Sequence, residues 1–444
     1  MRRTINLFIL AIAFCATLST SAQTVNSSKL DSLLLALDKA NKAMGSVAIA
    51  QNGNVVYAKA FGYSQLSDAG NIAATPQTRY RIGSISKVFT ATMIMQLVDE
   101  GKLTLSTTLD RFYPQIPNSE KITIEQLLSH RSGIHSFTSD PDYPKWMMNP
   151  KTHEELIALI SGYKPDFEPN AKYAYSNSNF VLLSYIIEKL DKRSFEKSLD
   201  KRIIRKVGLK NTYYGKKTDV KNNESYSYSK KIKWEKEVET DMSIPSGAGA
   251  IVSTPSDLTI FANALFTKKL VSDSSLAAMT RTRDGYGLGL MSMNFGEEKG
   301  YGHGGAIDGF LNQVVYFPEK SLTIAFSLNG MNYSLDKIVK GIGSICFNQP
   351  YSIPNFKTIA LKTEDLDKYL GVYASKTIPL KITVTKDADI LLVQATNQGA
   401  FAVDAIDIDK LRNDIYGIEL EFDTEKKEVI LNQRGMKLVF SIEK

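Results

Sequence analysis

Cysteine is almost missing from these 444 residues, with only Cys15 and Cys346 present. Two cysteines so far apart exclude a CxxC redox pair, a Cys/His zinc site and a disulfide framework. Once Cys15 leaves with a leader, Cys346 stands alone in the apolar run Ile342 to Phe347 and reads as a buried structural thiol. Histidine is nearly as scarce, at four. His130 and His135 lie five apart, a poor spacing for a metal on one helix face, and no third ligand is evident. No G-x-S-x-G nucleophile elbow occurs, so a Ser-His-Asp hydrolase lacks its usual signature. Past the first two dozen residues no apolar run reaches the ~18 residues that span a bilayer. Repeats and low-complexity tracts are absent too, which excludes solenoids and fibrous chains.

What is present describes a large globular chain. With 43% hydrophobic and 23% charged residues, two or three packed domains are expected. Arg2 and Arg3 precede an apolar stretch from Leu7 to Leu18 that gives way to Ser19-Thr20-Ser21-Ala22. That order describes a secretory signal peptide over residues 1–22, cut after Ala22, and places the mature chain in the periplasm or outside the cell. Lipid attachment at Cys15 is disfavoured, because Phe14 stands where a small residue is wanted. The formal charge is +7, and the basic residues crowd into Lys197 to Lys210 and Ser229 to Lys236. Aromatics interleaved with those charges would suggest nucleic acid. Only Trp234 stands among them and no known motif accompanies it, so a solvated face, turned toward an anionic cell surface, is the better reading.

Periodicity divides the chain. Leu30 to Met44 has a helical pattern; Ser46–Gln51 and Val55–Gly62 are strand-like and meet at Asn52-Gly53, a hairpin signal. Ser84 to Glu100 reads as a helix apolar almost all round, the mark of a buried central helix. Residues 105–240 are mostly helical and loop-like, and strand patterns return at Gly309–Phe317 and Leu322–Leu328. Strands at both ends of a helical middle imply one sheet covered by helices, an α+β arrangement. From about residue 355 the pattern alternates with period two between polar turns, which predicts a small antiparallel barrel or sandwich.

Three short motifs carry chemistry. In Gly83-Ser84-Ile85-Ser86-Lys87, positions i and i+3 share a helix face, so the Lys87 amine can reach the Ser84 hydroxyl. The helix start also offers N–H groups to a developing oxyanion. S-x-x-K recurs at Ser161, Ser194, Ser198, Ser227, Ser334 and Ser441, but only the Ser84 copy opens a long apolar helix. Tyr175-Ser176-Asn177 follows the Pro169-Asn170 turn and enters a helix that runs through Leu190. A phenol there can shuttle a proton, and an amide can hold a carbonyl or orient the lysine. Gly302-His303-Gly304-Gly305-Ala306 precedes the strand pattern at Gly309, and its glycines let a ligand lie against the backbone.

In this order and spacing the three motifs resemble the serine β-lactamase and penicillin-binding superfamily. The closer resemblance is to the class C β-lactamase-like branch, with its esterases, D-amino-acid peptidases and DD-peptidases. Leu127–Ile134, Gly247–Leu258, Tyr286–Leu290 and Gly302–Phe310 fit as connecting phrases. The resemblance covers about residues 27–350 and implies a β-lactamase/transpeptidase-like antiparallel sheet with helices and an all-helical subdomain. The domains expected are 23–350 for the hydrolase and 355–444 for a small β-rich tail of the kind appended to such enzymes.

The resemblance further implies an acyl-enzyme on Ser84, with Lys87 and Tyr175 as catalytic partners. Asn177, His303 and Gly305 are the implied substrate contacts, and the backbone N–H groups of Ser84 and Ala306 the implied oxyanion hole. No cofactor or metal is expected. The expected partner is a small peptide or ester, with peptidoglycan-derived peptides among the candidates. His303-Gly304-Gly305 replaces the Lys-Thr-Gly of β-lactamases, and no residue matches the acid that deacylates class A enzymes. The His303-Gly304-Gly305 substitution favours esterase and peptidase chemistry over β-lactam hydrolysis. A transacylase and a catalytically dead peptide- or protein-binding module are the alternatives; intact Ser84, Lys87, Tyr175 and His303 weigh against the second.

Overall fold

The computed structural model describes residues 25–443 apart from Lys231 and Arg434. The expected signal peptide, with Cys15, lies outside the described residues.

Asn52 and Gly53 take φ of 51° and 79°, the left-handed pair that a two-residue hairpin turn requires. They join the strands Ala43–Gln51 and Asn54–Phe61. The preceding helix is Ser27–Lys39, capped where the Asn26 side chain accepts from the Lys29 N–H. It stops short of Met44, where the apolar pattern ends. Asn41, at φ 53°, turns the chain back, and Ala43 and Met44 already pair with Met331 and Gly330.

Ala43–Gln51 lies between Asn54–Phe61 and Leu322–Met331, followed by Phe310–Phe317, Tyr301–Ile307 and Met291–Ser292. Every pairing along this path is antiparallel. Strands from residues 43–61 and 291–331 thus build one sheet. The middle is not wholly helical: the hairpin Tyr228–Lys230 and Trp234–Lys236 joins this sheet through Tyr228 opposite Gly330. Tyr80–Arg81, Ile251–Ser253 and Tyr213–Tyr214 form a small sheet of their own. The run Gly302–Ala306, expected just ahead of a strand, is itself a strand. Glycine disfavours strands by propensity, and the packing that overrides this is described with the site.

Each face of the sheet carries a core. On one side the helix Ser86–Asp99, entered by the 3-10 turn Gly83–Ile85, is buried from Ser86 to Leu97. Its Phe89 stacks on Phe261 at 3.7 Å. On the other side lie the first helix and Leu335–Cys346. Cys346 is fully buried there, and burial pushes its thiol up to about 12.

The alternating tail becomes eight strands, from Gly371–Ser375 to Met436–Ile442. The first pairs with the last, so the ring closes. Closure decides between barrel and sandwich, and it removes both sheet edges. Tyr373, Val384, Phe422 and Phe440 fill the interior in a core that shares no residue with the other two. Lys42, beside the first strand, reaches across to this barrel, 2.7 Å from Asp404 and 2.9 Å from Asp414.

Tyr351, Ile353 and Phe356 pack on the sheet rather than the barrel. A chain ending at Phe356 should therefore still unfold cooperatively on heating and still react at Ser84 with a serine-directed phosphonate. Lys42 would be left facing water, which relieves its charge rather than stranding it. Loss of the thermal transition, or of labelling in a folded truncated protein, would show that the barrel supports the site.

Candidate active site

Two glycines set the position of Ser84. Gly83 has φ +51°, and a Cβ on it would lie 2.7 Å from the Ala306 carbonyl oxygen. A Cβ on Gly305 would lie 2.0 Å from the carbonyl oxygen of Ile82. The Ser84 turn and the strand Tyr301–Ile307 therefore touch backbone to backbone, an approach that any side chain would block. Ser84 is left half-buried at the start of the central helix, beside the exposed Ala306.

Lys87 is one turn further on and has no solvent contact. Its Nζ is 3.0 Å from Ser84 Oγ, 2.7 Å from Asn177 Oδ1 and 2.8 Å from the Ala248 carbonyl oxygen. No carboxylate pairs with it among the described residues. The rings of Tyr175 and Phe180 lie 4.9 and 5.6 Å away. Burial holds the amine well below its ordinary value, because the charged form loses its hydration without gaining a counter-ion. Tyr175 moves the other way. Burial raises its phenol, and a hydrogen bond with Ser84 offsets only part of that.

Tyr175 ends the loop that enters the helix Asn177–Asp191. The Asn177 amide donates to Thr138 Oγ1 at 2.8 Å, and its backbone N–H to Ser136 Oγ at 3.0 Å, so the oxygen is left for Lys87. His130 clamps the loop from behind. Its carbonyl accepts from Ala174 N at 3.0 Å and its Nδ1 from Ser176 N at 3.1 Å, while its ring lies 4.2 Å from that of Tyr175. Burial keeps this imidazole neutral.

Ser84, Lys87, Tyr175, Asn177 and Ala306 thus converge. His303 and Gly305, expected to meet substrate, lie like Lys87 and Tyr175 outside the lining of the cavity at Ser84, with the His303 ring 6.2 Å from that of Tyr175. Gly305 is spent on packing against Ile82. His303 is buried, with Nδ1 2.5 Å from the Gly304 carbonyl and Nε2 3.1 Å from Tyr286 Oη. A carbonyl only accepts, so Nδ1 carries the hydrogen and Nε2 takes the tyrosine's. Burial, with Lys87 nearby, pushes this ring down to about 3.

A cavity of about 330 Å³ opens at Ser84. Phe137, Tyr143, Met147 and Ile307 make it apolar, and Glu237 and Asp308 bring carboxylates to it. Among the described residues no arginine or lysine lines it. Asp308 is already engaged by Arg81 at 3.1 Å and by the Thr240 N–H at 2.9 Å. Glu237 is half-buried and has no such pairing among the described residues. Sequence reasoning missed Ala248, Thr138 and Glu237. Ala248 lies inside the phrase Gly247–Leu258, so its place was flagged but not its carbonyl. The other two carried no local signal.

The depressed amine has a measurable consequence for stability. Between its folded value and the ordinary 10.5, folding must strip a proton from Lys87, a cost that vanishes above 10.5 and grows as pH falls. Lys87→Met removes that cost. The variant should be more stable than the native protein by ~1 kcal/mol or more near neutrality, with the gain shrinking as pH rises toward 10.5. A gain in Tm that does not change with pH would mean that the folded amine stays charged.

Comparison with known proteins agrees with this arrangement. The family model described as Beta-lactamase matches residues 35–340. Penicillin-binding protein 4* of Bacillus subtilis (strain 168) is 27% identical over 384 residues, covering 78% of this chain and 82% of that protein. A D-stereospecific amidohydrolase from Streptomyces sp. is 30% identical, with a TM-score of 0.56 over 68% of this chain and 94% of its own. An octameric penicillin-binding protein homologue from Pyrococcus abyssi is 25% identical, with a TM-score of 0.66 over 93% of this chain and 100% of its own. An antiparallel sheet under a buried central helix, a serine with a desolvated lysine at its start and a matching family model lead to one assignment: the chain belongs to the beta-lactamase family of serine hydrolases.

Proposed function

We propose that this serine hydrolase is exported and cleaves amide or ester bonds through an acyl-enzyme on Ser84. The observation that carries the reading is the buried Lys87 Nζ 3.0 Å from Ser84 Oγ, with burial holding the amine well below its ordinary value. A neutral amine has two N–H groups and one lone pair. The N–H groups suit the oxygens of Asn177 and Ala248, which leaves the lone pair to accept the Ser84 hydroxyl proton. Ser84 Oγ then attacks the substrate carbonyl carbon, and the oxyanion is received by the N–H groups of Ser84 and Ala306.

Tyr175, whose phenol is kept protonated, gives its proton to the leaving nitrogen or oxygen as the acyl bond breaks. The Lys87 ammonium restores it. In deacylation the roles reverse: water loses a proton toward the Tyr175–Lys87 pair, attacks the acyl carbon and releases Ser84. With the lysine lowered and the tyrosine raised, the two groups are set apart as base and acid.

Lining chemistry guides the substrate. A free carboxylate, as on a penicillin or a peptide C-terminus, would meet Glu237 and Asp308 and no facing cation. Short acyl esters and D-amino-acid amides suit the apolar, anionic cavity better. His303 is buried and paired with Tyr286, so a lining without lysine or arginine among the described residues carries the argument.

Two measurements test the reading. A phosphonate probe should add at Ser84, and Lys87→Ala and Tyr175→Phe should each slow turnover about a hundredfold or more with the fold intact. Their double variant should be little worse than either, because they act as a unit. Labelling at another serine would overturn the nucleophile. Second, kcat/KM should be higher for a p-nitrophenyl ester or a D-amino-acid amide than for nitrocefin. A clear preference for nitrocefin would make this a β-lactamase and refute the lining argument.

A further inference from the structure

Positive charge is not spread evenly over this molecule. From Lys192 to Lys210 eight basic residues stand against two acidic ones, a surplus of six where the whole chain has a surplus of seven. The segment folds as the helix Phe195–Leu199, a π-helical turn Asp200–Ile204 and a last turn Arg205–Val207. Phe195, Leu199 and Ile203 fix it on the core, and Lys197, Lys201, Arg205 and Lys206 are exposed on it. π-Turns are uncommon and recur at functional sites.

This segment borders a cleft of about 550 Å³, shared with the far end of the central helix and the turn around Lys268–Ser272. Its acidic residues are already engaged. Arg202 lies 2.7 Å from Glu100 and 2.5 Å from Asp191, and Asp99 accepts from Ser272 and Ser275. Arg193, Lys201, Lys206 and Lys269 line the cleft with no ion-pair partner among the described residues. No aromatic residue lines it, so single-stranded nucleic acid would find no stacking platform.

We propose that this basic face docks the protein on an anionic phospholipid surface, with lipid phosphates seated in the cleft. Charge complementarity favours a surface over one small anion, because exposed Lys192, Lys197 and Lys210 continue the patch outside the cleft. Such binding is reversible and weakens with salt, since exposed cations act through a screened field. Geometry adds an orientation. Ser84 and Glu100 stand at opposite ends of one helix, about 24 Å apart at the usual rise per residue. A molecule held by the Glu100 end presents the mouth of the Ser84 cavity away from the lipid. Nothing in this rests on how Ser84 reacts.

The test is sedimentation of the full chain with phosphatidylcholine vesicles, with and without added phosphatidylglycerol, at low and physiological salt. Binding should require phosphatidylglycerol and fall with salt. Lys201→Glu combined with Lys206→Glu and Lys269→Glu should weaken it at least about tenfold, while phosphonate labelling of Ser84 and Tm stay unchanged. Equal binding to both vesicles, binding to neither, or undiminished binding by the triple variant would each overturn the proposal. So would capture of soluble polyphosphate by a protein that ignores the vesicles, which would make the cleft a site for free polyanions.

Discussion

A buried amine with no carboxylate partner among the described residues is the constraint on which this site depends. Lys87 stays buried because the central helix is covered from Ser86 to Leu97 and because Tyr175, Phe180 and Ala248 close over its tip. Without the Asn177 and Ala248 oxygens the amine would be buried with its donors unmet. With a carboxylate in their place it would be charged. The neutral oxygens satisfy its hydrogens and leave its affinity for a proton low. That combination separates a lysine suited to chemistry from one that merely anchors a loop.

Backbone contact is the second constraint, and it explains where sequence reasoning worked and where it did not. The S-x-x-K pair was legible because helix geometry alone brings i and i+3 together, and the long apolar run singled out one serine among seven. The hairpin at Asn52-Gly53 and the alternation of the tail were legible for the same reason: each is a local rule. Gly302–Ala306 was harder. Its three glycines disfavour a strand, yet it is one, paired with Phe310–Phe317, and the partner that demands glycine at 305 is Ile82, more than two hundred residues away in the chain. The same holds for His303, which looks exposed among glycines and is instead locked between Gly304 and Tyr286.

Other parts of the site carried no sequence signal. A carbonyl such as that of Ala248 belongs to any residue type, and Thr138 or Glu237 reaches the cavity only through tertiary folding. The middle of the chain hid its short strands in a similar way. Tyr213–Tyr214 and Tyr80–Arg81 are two residues each, too short for a period to show. Barrel against sandwich could not be decided from alternation, since closure depends on the pairing of Tyr373 with Ile442, a contact between opposite ends of the tail.

The central pairing of the sheet joins Ala43–Gln51 to Leu322–Met331, and this has a consequence for how the chain comes into being. During synthesis the early hairpin waits, with one edge bare, until nearly the whole hydrolase region has been made. Pairings so distant in sequence form slowly, since a long loop must close before any contact rewards it. A bare strand edge is meanwhile open to other chains. The molecule should therefore be far more prone to aggregate while folding than its native state, in which Ala43–Gln51 is paired along both edges, suggests, and its yield should depend on what shields Ala43–Gln51 in the interval.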